Sequence, residues 1–148
     1  MNTVVVKRAT LRDVDFVSDL FDQYRTMNRQ IEHPMAERIR LEDQLAAQDC
    51  VIFVAVSHMR GVLHYLGFAQ LRPRKSADSL QKEWVLTDMF VLPEARDTEI
   101  EHELLGAVLK HTSQTDPSRG VLVESEVRTP ALQSYLDEFA FSSHKQTV

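Results

Sequence analysis

With 148 residues, 43% of them hydrophobic and 26% charged, the chain has the size and balance of one folded domain, which sets aside disordered, fibrous and two-domain readings. Its net charge of −5 argues against a nucleic-acid partner, because the only basic cluster, Arg72, Arg74 and Lys75 around Pro73, reads as a solvated loop too small to hold a duplex. The longest apolar run, Val51 to Val56, is far short of the ~20 residues of a membrane span, and Met1 to Lys7 lacks a secretory pattern, so a cytoplasmic protein with no membrane partner is expected.

In chain order, Thr3 to Arg8 reads as a β-branched strand leading to Thr10, Asp13 and Asp15, where a helix cap is expected. Val14, Val17, Leu20, Phe21 and Tyr24 then fall on one helical stripe that Met27 extends, ending near Arg29. A less regular helix is expected from about Met35 to Ala47, with Ile39, Leu41 and Leu45 inward. Val51 to Val56 and Leu63 to Leu71 read as two strands of a hairpin joined by Ser57 to Gly61. Trp84 to Val91 is apolar on both alternating faces and belongs mid-sheet. Thr98 to Thr112 is a helix burying Ile100, Leu104, Leu105, Val108 and Leu109, with Lys110 and His111 as cations suited to its C-terminal dipole. Val121 to Val127 is a further strand, Pro130 to Phe139 a short helix, and Ala140 to Val148 a last strand.

These elements make a single domain, residues 1–148, of α/β class: a mixed, mostly antiparallel central sheet flanked by helices in layers. The strand, helix, strand unit from Trp84 to Val127 implies a right-handed crossover and one parallel strand pair. Ligands of such sheets bind beyond the carboxyl ends of the strands, where a helix N-terminus offers free amides to an anion. Here that place is Leu92 to Glu101.

Five strings carry a family resemblance across nearly the whole chain. They are Val6-Lys7-Arg8-Ala9-Thr10, Leu20-Phe21-Asp22-Gln23-Tyr24-Arg25, Val51-Ile52-Phe53-Val54-Ala55, Leu66-Gly67-Phe68-Ala69-Gln70-Leu71, and the stretch from Trp84 to Arg96. In order and content they resemble the GNAT superfamily, the acyl-CoA-dependent N-acyltransferases. The resemblance implies acetyl-CoA as co-substrate and a primary amine of a small molecule or peptide as acceptor; a homodimer, by self-association through an exposed strand edge, is a separate expectation. It implies that Phe90 and Val91 offer backbone groups to the pantetheine arm, and that the segment Arg96, Asp97, Thr98, Glu99, Ile100, Glu101 wraps the pyrophosphate. It implies Gln23, Tyr24 and Gln70 on the acceptor side and Tyr135 as the acid that protonates the leaving thiolate, although anchoring on Ala140-Phe141 puts Leu136 at that place instead.

The chain departs from the family at Glu99 and Glu101, which stand where small residues let the backbone approach phosphate. Glu94, Asp97, Glu99, Glu101 and Glu103 crowd that segment against Arg96 alone. Each carboxylate ~6 Å from a phosphate charge costs between about 0.7 and ~3 kcal/mol, according to the local dielectric. Weakened acetyl-CoA binding is therefore expected, with a non-catalytic binding or regulatory relative as the alternative.

Asp88 is the acid that an apolar central strand explains least. By alternation it shares a face with Trp84, Leu86 and Phe90. Either a cleft solvates it, and it takes the acceptor's proton, or it hydrogen-bonds backbone at a sheet irregularity. The six histidines show no i, i+4 pair, so no metal site is expected, and Cys50, the only cysteine, reads as a small buried residue.

Overall fold

In the computed structural model, residues 3–27, 34–47, 50–75, 82–96, 98–115 and 121–123 are described. The order is β1 (Thr3–Arg8), a 3-10 turn (Leu11–Asp13), α1 (Val14–Met27), α2 (Pro34–Ala46), β2 (Val51–Met59), β3 (Val62–Lys75), β4 (Lys82–Val91), a second 3-10 turn (Pro93–Ala95), α3 (Thr98–Thr115) and β5 (Val121–Val123). The strands form one sheet in the order β1-β2-β3-β4-β5. The first four are antiparallel to their neighbours and β5 is parallel to β4, pairing Trp84 with Val121 and Leu86 with Val123. That parallel pair is what the crossover from Trp84 required. The helix and last strand expected after Val127 lie outside the described residues.

Alternation along β2 builds the two faces. Val51, Phe53 and Ala55 point to α3, where Ile100, Leu104, Leu105 and Val108 meet them. Ile52, Val54 and Val56 point the other way, to Val17, Leu20 and Phe21 of α1 and Leu41 of α2. Ile39, expected inward, is 57% exposed, because it precedes the buried Leu41 by two residues and so by about 200° of helix. No helix among the described residues is long and apolar enough to cross a membrane.

The hairpin is tighter than expected. β2 and β3 run through most of Ser57 to Gly61, pairing up to Met59 and Val62, and only Arg60 and Gly61 turn, both with positive φ (51° and 77°). That is the two-residue turn whose twist matches the strands. β3 is also longer than expected and continues through Pro73 to Lys75 in pairing with β4, so Arg72 and its neighbours are strand, not loop. β2 pairing stops at Leu71, which leaves β3 an edge there and lets proline's missing donor go unfelt.

A bulge lies between β3 and β4. Gln70 pairs with Asp88 but Leu71 with Leu86, so Thr87 is the extra residue, and its Oγ1 donates to the Gln70 carbonyl at 3.4 Å. The bulge reverses the alternation. Leu86 and Trp84 pack toward α3, whereas Phe90 packs toward α1. The shared face expected for Asp88, Trp84, Leu86 and Phe90 is thus corrected: only Phe90 and Asp88 lie on the α1 and α2 side.

Two polar details fix the layers. The capping box at Thr10 forms with Asp13, whose buried carboxylate also accepts from the Tyr65 hydroxyl at 2.6 Å and Lys7 Nζ at 3.0 Å. Burial alone would raise the Asp13 pKa, but these donors with the Thr10 amide outweigh it and hold Asp13 below the ordinary carboxylate range. Burial, then the hydrogen bond to Asp13 and that carboxylate's charge, push Tyr65 up to about 12. At the far end of α3, His111 does not serve the helix dipole. Its ring lies edge-on to Trp84 and Phe53, at 5.3 and 5.8 Å, and burial, then Arg8, lowers its pKa.

Candidate active site

Where α1 and α2 cross the sheet, a cavity of about 180 Å³ opens between Tyr24, Arg25, Glu37, Arg40, Gln70, Arg72 and Asp88. β3 and β4 bring Gln70 and Asp88 together as register partners beside the Thr87 bulge. The Gln70 amide is 1% exposed and turned by its neighbours: its oxygen accepts from Arg72 Nε at 3.2 Å and Nη2 at 3.1 Å, while its nitrogen donates to Asp88 Oδ2 at 3.0 Å. Cys50 Sγ lies 3.3 Å from the oxygen end. A guanidinium and a carboxylate are therefore joined through one buried amide. The irregularity expected near Asp88 exists, and a side-chain amide serves the carboxylate.

The opposite wall is α1. Arg25 reaches Asp22 at 2.7 Å and Glu37 at 3.5 Å and lies 5.8 Å over the Phe21 ring. Tyr24 lines the cavity beside it, edge-on to Phe68. Gln23, expected with Tyr24, is exposed and outside the cavity, since one helical step turns it about 100° away. Sequence pattern alone does not mark Arg25, Glu37, Arg40 and Arg72 as site residues. For Arg72 a signal existed, because it follows Gln70 by two residues on the same strand and so shares its face.

At the end of β4, Phe90 and Val91 are buried, and beyond Leu86 the described pairing of β4 is with β3 alone. A Cβ on Gly67 would fall 2.5 Å from the Phe90 carbonyl oxygen, so glycine is what lets β3 approach so closely. Arg96 folds back on this strand end: its Nε donates to the Val91 carbonyl at 3.1 Å, its guanidinium sits 6.0 Å over Phe90, and Nη2 lies 3.9 Å from Met27 Sδ. The first-turn amides of α3 follow, with Glu99 exposed, Glu101 half-buried and Ile100 in the core. Asp97, the Thr98 side chain and Tyr135 lie outside what is described.

The acids of this segment do not all face one way. Glu94, Glu99 and Glu103 line a second cavity, of about 600 Å³, together with Val4, Ser57 and His64. Its strand residues come from β1, β2 and β3, on the side of the sheet away from β5. Glu101, two residues from Glu99, is turned about 200° from it.

No family model matches the chain. A protein of Haemophilus influenzae named "Probable acetyltransferase" is 30% identical over 122 residues, which is 82% of each chain. A crystal structure described as a probable acetyltransferase superposes with a TM-score of 0.79 at 29% identity, covering 94% of this chain and 90% of that one. An aminoglycoside N-acetyltransferase in complex with CoA shares the fold with a TM-score of 0.75 at 19% identity, covering 100% of this chain and 93% of that one. A relative of that identity and coverage, with the superposition on a probable acetyltransferase, shows that this chain belongs to the GNAT superfamily of acyl-CoA-dependent N-acyltransferases.

Proposed function

We propose that the protein transfers an acetyl group from acetyl-CoA to a primary amine of a small molecule or peptide held in the cavity of α1 and α2, with a cofactor affinity weaker than the fold can reach. The observation that carries this reading is Asp88, a carboxylate presented to the cavity at the β4 bulge and held by Gln70 at 3.0 Å. Asp88 first takes one proton from the acceptor ammonium, directly or through one water; the freed lone pair then bonds the thioester carbon, the carbon–sulfur bond breaks, and the second proton the nitrogen sheds as the amide forms balances the one the thiolate gains. Tyr135 returns a proton to the departing thiolate. The backbone of Phe90 and Val91 and the first-turn amides from Thr98 to Glu101 hold acetyl-CoA. A structural neighbour solved with CoA and another solved with acetyl-CoA support this assignment of co-substrate.

Two features favour weak binding. Arg96, the one cation of the segment, spends its Nε on the Val91 carbonyl, and Glu101 stands by the helix start. The same features favour a second reading, a GNAT-fold protein that binds a ligand or partner without catalysis. Asp88→Asn distinguishes them: kcat for thiol release from acetyl-CoA is expected to fall by ~100-fold or more while the thermal midpoint holds. A turnover equal to that of the unsubstituted chain would remove Asp88 from the mechanism, and no turnover in either form with any amine would favour the second reading.

A further inference from the structure

The acceptor cavity is charged in the opposite sense to the chain. Three arginines, Arg25, Arg40 and Arg72, line it against two carboxylates, Glu37 and Asp88, in a protein of net charge −5. Their engagements differ. Arg25 is held by Asp22 and Glu37, and Arg40, with 68% of its side chain in solvent, leans on Glu37 at 3.8 Å. Arg72 makes no salt bridge among the described residues: its Nε and Nη2 meet only the neutral amide oxygen of Gln70. Arg25 Nε is the one buried side-chain nitrogen or oxygen among the described residues that lacks a hydrogen-bond partner.

An unbonded buried donor on a cation is costly, and guanidinium forks match carboxylate and phosphate oxygens. Beyond the Gln70 amide, Asp88 supplies the complementary charge for an ammonium group. A site that sets a carboxylate one amide away from a guanidinium that meets no carboxylate among the described residues suits a ligand bearing both signs of charge.

We propose that the acceptor is a small amine that also carries an oxyanion, a carboxylate or a phosphate, with its amine toward Asp88 and its anion bound by Arg72, Arg25 and, at the mouth, Arg40. The cavity, about 180 Å³, suits a small molecule rather than a length of polymer. This rests on the acceptor site assigned above and narrows it away from purely cationic amines. The transfer step is the one already written.

The test binds four probes to the full chain by calorimetry without acetyl-CoA: γ-aminobutyrate, 2-aminoethyl phosphate, n-butylamine and 1,4-diaminobutane. At least one anionic probe is expected to bind roughly tenfold tighter or more than n-butylamine, and Arg72→Gln, at an exposed strand position, is expected to abolish that preference. Which anionic probe binds better tells carboxylate from phosphate. Equal or tighter binding of n-butylamine or the diamine, no binding of any probe, or a preference that survives Arg72→Gln overturns the proposal. Acetyl transfer is then measured with the same probes. Anionic preference without transfer leaves this inference standing and removes the catalytic reading, whereas transfer to amines regardless of charge does the reverse.

Discussion

Gln70 joins Arg72 to Asp88 with a neutral amide, so neither charge has to be buried against the other. Asp88 was legible in the sequence because an acid among apolar strand residues needs a reason, whereas Arg72 was hidden by Pro73, which made strand look like loop. Tyr65 was hidden for a different cause. Its partner Asp13 lies 52 residues away, and no local pattern announces such a contact. That pair makes a prediction. A tyrosine raised from 10 to about 12 contributes stability that is whole below pH 10 and fades as pH rises toward 12, while a lowered Asp13 contributes stability that fades as pH falls below 3.8. Tyr65→Phe is expected to cost about 1.5 kcal/mol at neutral pH, the low end for a bond to a charged acceptor because the ring is partly exposed. In urea unfolding, the gap between Tyr65→Phe and the unsubstituted chain should close between pH 10 and 12. A constant gap would mean that the bond does not couple to tyrosine ionisation.

Among the elements, the hairpin and α3 show what periodicity can and cannot read. Ser57 and His58 look polar enough for a loop, yet only two residues turn, because Gly61 accepts a positive φ and Arg60 is forced into one. Arg60→Asn should therefore raise stability by about 0.5–1 kcal/mol, and an unchanged or lower thermal midpoint would contradict the turn geometry. In α3 the apolar stripe was plain, but two roles were not. Burial, and then the charge of Arg8, lower the pKa of His111, so its contribution to stability is lost as pH falls through 6.5 rather than gained. The acids at the start of α3 divide between two sides. Glu101→Gly is accordingly expected to tighten acetyl-CoA by roughly tenfold, and Glu99→Gly by much less, since Glu99 faces the second cavity. Equal effects in calorimetry would mean that the two carboxylates see the same phosphates.

At the scale of the whole molecule, element order and layering were readable because each strand and helix carries its own period and the crossover from Trp84 fixes one parallel pair. What alternation could not supply is the bulge. One extra residue, Thr87, reverses the face of everything after it, and so places Asp88 in the α1 and α2 cavity rather than beneath α3. The account as a whole turns on whether this fold still takes acetyl-CoA with Arg96 folded onto Val91 and Glu101 at the helix start. Calorimetric titration of acetyl-CoA into the full chain, followed by thiol release on adding an amine, measures that directly. A dissociation constant between roughly 10 µM and 1 mM with amine-dependent release is the expected result. Absence of binding at several millimolar, about 5 mM, would contradict the transferase reading, and a constant well below about 1 µM would contradict the weakened site.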